Sequence, residues 1–137
     1  MTRTQKKLAA LLGMGLLCNG AFMLTAPQKW FETVPTVSLT GPLNAHFVRD
    51  VGCAYLLSGL AYVQAAICGR LESRQVFWAT GFLVLHAGVH LYEFAMNLCG
   101  WRTWLLSSPG VTLPALVAVW ISWRRSEMPS TLTPQGA

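Results

Sequence analysis

Residues 8–26, LAALLGMGLLCNGAFMLTA, decide the fold. They contain no charged side chain, and Asn19 and Thr25 are the only clearly polar residues among them. The apolar residues follow one another in a block instead of recurring at every second or fourth position. A block of this kind predicts a membrane-spanning helix, which needs roughly 17 to 25 predominantly apolar residues.

The whole chain has the composition of a membrane protein. Its 137 residues are 53% hydrophobic and 11% charged, which is too apolar for an ordinary soluble domain. We predict an all-α integral membrane four-helix bundle in residues 1–125 and a disordered cytoplasmic tail in residues 126–137. The fourth block is the weakest, because residues 111–123 reach full length only when extended back to Trp104. The predicted spans are residues 8–26, 47–69, 76–97 and 104–123.

The basic residues predict the orientation of the spans, because Lys and Arg are retained on the cytoplasmic side. With the N-terminus inside, seven basic residues fall in inner segments and three in outer segments. The sequence therefore predicts an N-in/C-in topology in the bacterial inner membrane, with the lipid bilayer as surroundings. The basic residues are dispersed among separate loops, so the net charge of +5 does not indicate a nucleic-acid partner.

A short pattern occurs twice in the chain. Residues 30–39 (WFETVPTVSL) and residues 104–113 (WLLSSPGVTL) share the form W-x4-P-x-V-[ST]-L. Each copy lies between an outward-running and an inward-running predicted span. The pattern predicts two pseudo-repeated helical hairpins related by an axis along the membrane normal.

Residues 86–93, HAGVHLYE, place three titratable groups inside the third block. Ionisable side chains within a span are costly and are functional candidates by default. His86, His90 and Glu93 have the spacing i, i+4, i+7 and share one helix face. His46 and Asp50 share a face at the start of the second span, and we expect the two faces to meet across a helix pair.

Imidazole and carboxylate groups at one depth suit iron, zinc or manganese. The sequence therefore predicts a non-haem metal site open to the outer face, for redox or hydrolytic chemistry, with Asn19 and Arg49 hydrogen-bonding its ligands. Haem is less favoured, because its axial histidines must face each other across a flat macrocycle. The sequence identifies no catalytic residue. The predicted metal ligands are His46, Asp50, His86, His90 and Glu93.

Two other interpretations of these groups stay open. In one, Arg49 joins Asp50, Glu93 and the histidines in a purely structural polar network that ties two helices together. In the other, the groups form a proton or small-solute pathway, which requires a continuous polar route to the inside. Below the cluster the second span offers few polar groups for such a route.

Glycines seven residues apart mark a further surface on three of the predicted spans. This spacing is about two helical turns and lets two backbones approach closely. The glycines either dock another subunit, as expected of a homo-oligomer or of an accessory or assembly subunit in a larger membrane complex, or pack the bundle internally. The pairs are Gly13/Gly20, Gly52/Gly59 and Gly81/Gly88.

Residues 40–52, TGPLNAHFVRDVG, followed by the histidine-bearing helix, resemble a family of small uncharacterised four-helix inner-membrane proteins of proteobacteria. In that family an outer TGP-x-N-x-HFVRD-x-G segment leads into the second helix. The resemblance implies a membrane topology and no particular chemistry. Independently of it, Asn44 is expected to cap the N-terminus of the second helix.

Overall fold

The computed structural model describes residues 1–71 and 73–123, and the predicted tail at 126–137 lies outside them. Within the described residues the chain is all-helical, as predicted, with five α-helices and one short 3-10 helix, Val37–Leu39. The α-helices are α1 (Arg3–Thr25), α2 (Pro27–Thr33), α3 (Ala45–Cys68), α4 (Arg74–Ala95) and α5 (Trp101–Trp123).

Among the described residues, three helices are long and apolar enough to cross a membrane, which indicates a membrane protein. The predicted bundle of four membrane-spanning helices is therefore wrong. The three helices are Arg3–Thr25, Ala45–Cys68 and Trp101–Ser122.

The fourth long helix, α4, is not among these candidate membrane spans. Its 22 residues are sufficient in length. However, His86, His90 and Glu93 lower its apolarity, because charged and strongly polar groups carry the largest unfavourable transfer energies. The three titratable groups that indicated a site thus also remove α4 from the set of apolar spans.

Two further predictions depended on four membrane spans and are corrected as well. The N-in/C-in topology required an even number of crossings, and three candidate spans remove that basis. The pseudo-repeat is wrong because its two copies fold differently. Trp30 lies in α2 and is followed by a turn and the 3-10 helix, whereas residues 104–113 lie entirely within α5.

Local sequence accounts for the helix starts. Thr2 and Gln5 form a reciprocal capping box at α1. The Asn44 side chain accepts a hydrogen bond from the Phe47 backbone N–H at 3.0 Å, which confirms it as the N-cap of α3. Ser73 caps α4 in the same way.

The fourth predicted span, regarded as the weakest, is one continuous helix. α5 runs through Pro109 and Pro114 without ending. Proline is tolerated inside membrane helices because neighbouring helices and hydroxyl side chains satisfy the freed backbone groups. Ser107 and Ser108 both donate hydrogen bonds to the Trp104 carbonyl just before Pro109.

The long helices contact one another in a closed order: α1 with α3, α3 with α4, α4 with α5, and α5 with α1. The pairing of α1 with α3 is the most extensive of these contacts. The core between the helices is apolar apart from a few hydroxyl and amide groups. Its largest fully buried side chains are Met23, Tyr62, Val76, Leu83 and Ile121.

Candidate functional site

His46 and Asp50 lie in the first two turns of α3, one turn apart. His46 Nε2 is 3.4 Å from Asp50 Oδ2, and the two side chains are 88% and 62% exposed. Both groups therefore face outward on α3 and interact with each other. An exposed pair of this kind contributes little to stability.

The opposite face of α3 is the one that meets α4. Tyr55 is 5% exposed and contacts Phe82 and His86 of α4. Successive residues of a helix are about 100° apart, so His46 and Asp50 lie about 180° and about 140° around α3 from Tyr55. The two faces that were expected to meet across this helix pair are directed apart.

His86 and His90 lie in an aromatic cluster between α3 and α4. The His86 ring stacks on Phe82, with centroids 5.8 Å apart and planes at 22°. The edge-to-face contact with Tyr55 is 5.7 Å, and that with His90 is 5.1 Å. We call Tyr55, Phe82, His86 and His90 the α3–α4 aromatic cluster. Rings in these orientations stabilise packing beyond the area that they bury.

A hydrogen bond further along the same interface joins Tyr62 to Thr80. Their hydroxyl oxygens are 2.7 Å apart. The Thr80 hydroxyl donates to the Val76 carbonyl at 2.7 Å, so Tyr62 is the donor to Thr80. Tyr62 is fully buried. Tyr55 and Tyr62 are seven residues apart and share a face of α3, and this spacing is the sequence signal for the face that meets α4.

The two residues expected to support a metal site have other roles. The Asn19 side-chain oxygen accepts from the Trp30 indole N–H at 2.9 Å, which holds α2 against α1. The Arg49 guanidinium donates to the carbonyl of Leu24 at 3.3 Å, near the end of α1. Cations at a helix C-terminus are favourable, because the last carbonyl groups lack partners.

Glu93 is half-buried near the end of α4. Arg49 makes its hydrogen bond with α1, and the ion pair between described side chains is that of His46 with Asp50. The structural network proposed around Arg49 and Glu93 is thus not formed in the part of the chain that the structure describes.

Within residues 1–71 and 73–123, no group of three His, Cys, Asp or Glu side chains could hold a metal ion. The five predicted ligands fall into an exposed pair on α3 and a histidine pair, with Glu93 further along, on α4. The five side chains are thus not brought together into one site within the described residues, and the metal site stays a prediction.

The glycine pairs of α1 and α3 form the seam between these two helices. A Cβ atom on Gly20 would lie 2.7 Å from the Gly52 carbonyl oxygen, and one on Gly59 would lie 2.8 Å from that of Gly13. Cβ atoms on Gly81 and Gly88 would have nothing within 4 Å. The glycine pairs of α1 and α3 thus pack against each other inside the molecule, whereas the Gly81/Gly88 pair on α4 has no neighbouring atoms within 4 Å of a Cβ.

No protein-family model, curated protein or solved structure matches this chain. The family resemblance of residues 40–52 accordingly stays a prediction, and the functional argument is built on the contacts described above.

Proposed function

We propose that this protein forms a homo-oligomer in the bacterial inner membrane through one face of α4. A single contrast carries the proposal. The glycine pairs of α1 and α3 are enclosed by each other's backbones, whereas Gly81 and Gly88 of α4 meet nothing within 4 Å.

Glycine has a cost in a helix. In water it destabilises a helix interior by about 1 kcal/mol relative to alanine, and close backbone approach is what offsets this cost in membrane helices. For α1 and α3 that contact lies inside the molecule. For α4 it would come from another chain, and this supports a docking role for the face that carries Gly81 and Gly88.

The partner that this face fits best is α4 of a second copy. A pair of glycines seven apart, packed against another such pair, is already the contact between α1 and α3. Phe77, Leu85 and Tyr92 lie around the α4 pair, and each is more than half exposed. The α4 helices of two copies would pack against each other about a two-fold axis.

The test is the association of the full chain in membranes. A single cysteine at Val84→Cys, in a chain otherwise free of cysteine, is expected to crosslink to its own copy. Light scattering of the detergent-solubilised protein is expected to give a dimer. The Gly81→Leu/Gly88→Leu variant is expected to weaken dimerisation at least about tenfold, because the added side chains separate the backbones.

Gly15→Leu is the matched control, because Gly15 is also open within 4 Å but has no second open glycine seven residues away. It should dimerise like the wild type. A monomeric wild type, or a double variant that dimerises normally, would contradict the proposal. If Val84→Cys crosslinks only to a different protein, the α4 face is still a docking face, but its occupant is that protein and not a second copy.

A metal centre is the second candidate function, and the histidine pair favours it. The rings of His86 and His90 are 5.1 Å apart, centroid to centroid, and Glu93 follows on the same face of α4. These three side chains do not complete a site by themselves in the described residues, but they would contribute imidazole and carboxylate ligands to a site for iron, zinc or manganese. Its remaining ligands would come from a second copy, from water or from outside the described residues.

A further inference from the structure

A shallow groove of about 380 Å³, largely open to its surroundings, lies on the outside of the α1–α3 pair, at the end where α1 begins and α3 ends. Its walls are apolar, and two lysines of α1, Lys6 and Lys7, stand at its end. Among the described residues, no acidic side chain lines it. The apolar wall consists of Ala10, Met14, Val63, Ala66 and Ile67.

The Lys6 side chain reaches across to α3. A Cβ atom on Gly69, the residue that ends α3, would lie 3.2 Å from Lys6 Cε and 3.3 Å from Lys6 Nζ. The position is favourable for a cation, because the last carbonyl groups of a helix carry partial negative charge. The Lys6 ammonium group therefore lies close to the C-terminus of α3, at the end of the groove.

This end of the molecule is basic. Arg3, Lys6 and Lys7 precede or begin the apolar part of α1, and Arg70 and Arg74 flank the connection from α3 to α4. One acidic residue, Glu72, stands between Arg70 and Arg74 in the sequence, so basic residues are in excess at this end. Of the other acidic residues in the described part of the chain, Glu32 lies in α2, Asp50 near the start of α3 and Glu93 near the end of α4. The charge at the groove therefore attracts anions.

We propose that the groove binds one anionic phospholipid, with its phosphate at Lys6 and Lys7 and an acyl chain along Met14, Val63 and Ile67. The two helices that form the groove are both candidate membrane spans, so its apolar wall faces hydrocarbon. A ligand for this surface has to combine a negative head with an apolar chain, and a phospholipid has both. A soluble anion would leave the apolar wall unused.

The test measures lipid retention by the full chain in detergent, using native mass spectrometry. The probes are phosphatidylglycerol and phosphatidylethanolamine with identical acyl chains. The wild type is expected to retain one phosphatidylglycerol in preference to the zwitterionic lipid. Lys6→Gln and Lys7→Gln should each weaken retention about fivefold, because one basic residue near an anionic lipid surface contributes on that order.

The matched control is Lys29→Gln in α2, which removes the same charge away from the groove and should retain the lipid. The Lys6→Arg/Lys7→Arg variant keeps the charge and should retain it as well. Ala10→Phe fills the groove without changing its charge and should lose the lipid. Circular dichroism verifies that each variant is folded.

Four results would overturn the proposal. The first is equal retention of the two lipids by the wild type. The second and third are unchanged retention in the Lys6→Gln/Lys7→Gln variant and in a folded Ala10→Phe variant. The fourth is displacement of the lipid by inorganic phosphate. The last result would identify a soluble anion as the ligand.

Discussion

His46 and Asp50 form their ion pair on the exposed side of α3, whereas His86 packs against Tyr55 and Phe82 between α3 and α4 and His90 contacts His86. The difference follows from helix geometry. Tyr55 faces α4, and positions five and nine residues earlier are turned away from it.

The metal hypothesis makes its own prediction at this scale. If His86, His90 and Glu93 bind a transition metal, the purified wild type should contain a stoichiometric amount of it, and His90→Ala and Glu93→Ala should each lose it. Elemental analysis of detergent-purified protein measures this directly.

His46→Ala is the matched control for the metal measurement. It removes an imidazole from the exposed pair on α3 and is expected to leave the metal content unchanged. If the wild type contains no stoichiometric metal under varied growth conditions, the proposed metal centre is contradicted. Equal loss in all three variants would point to a general folding defect, which circular dichroism would reveal.

At the scale of the helices, the α1–α3 seam depends on the absence of side chains at its glycines. A Cβ atom on Gly59 would lie 2.8 Å from the Leu17 backbone nitrogen and 2.8 Å from the Gly13 carbonyl oxygen. These are backbone atoms, which cannot rotate away as the end of a flexible side chain can. Substitution therefore has to move one helix relative to the other.

Gly59→Ala is expected to destabilise the folded protein by about 1–3 kcal/mol, the usual cost of overpacking. Gly15→Ala is the comparison, because nothing lies within 4 Å of a Cβ there. It should be neutral or stabilise by up to about 1 kcal/mol through helix propensity. Unfolding with increasing SDS in mixed micelles measures both, and equal stabilities of the two variants would be evidence against the seam.

At the scale of the whole molecule, the two proposed binding surfaces lie on different helices. The docking face belongs to α4, and the lipid groove is formed by α1 and α3. Distant sites without shared partners usually act independently. Because the two surfaces are separate, a variant of one surface serves as a control in the test of the other.

We therefore expect the Gly81→Leu/Gly88→Leu variant to retain phosphatidylglycerol like the wild type, and the Lys6→Gln/Lys7→Gln variant to dimerise like it. Native mass spectrometry reports both quantities in one experiment. Simultaneous loss of lipid and dimer in either variant would show that the surfaces are coupled through a bound lipid or through unfolding.

Much of the local structure was readable from the sequence. Residues 8–25 of the first apolar block lie within α1, Asn44 caps α3, and His86 and His90 lie on one helix. Each of these depends on residues a few positions apart. The number of apolar spans was misjudged because a block of sufficient length was counted although three titratable groups lowered its apolarity.

The sequence by itself determined the helical class, the apolar character and the pairs of glycines, because these follow from composition and from the helical repeat. Only the tertiary structure decided which faces meet. It turned His46 and Asp50 away from α4, enclosed the glycines of α1 and α3, and left Gly81 and Gly88 open. The physical reason is that a helix presents several possible faces, and the choice among them depends on the shape of neighbours far away in the chain.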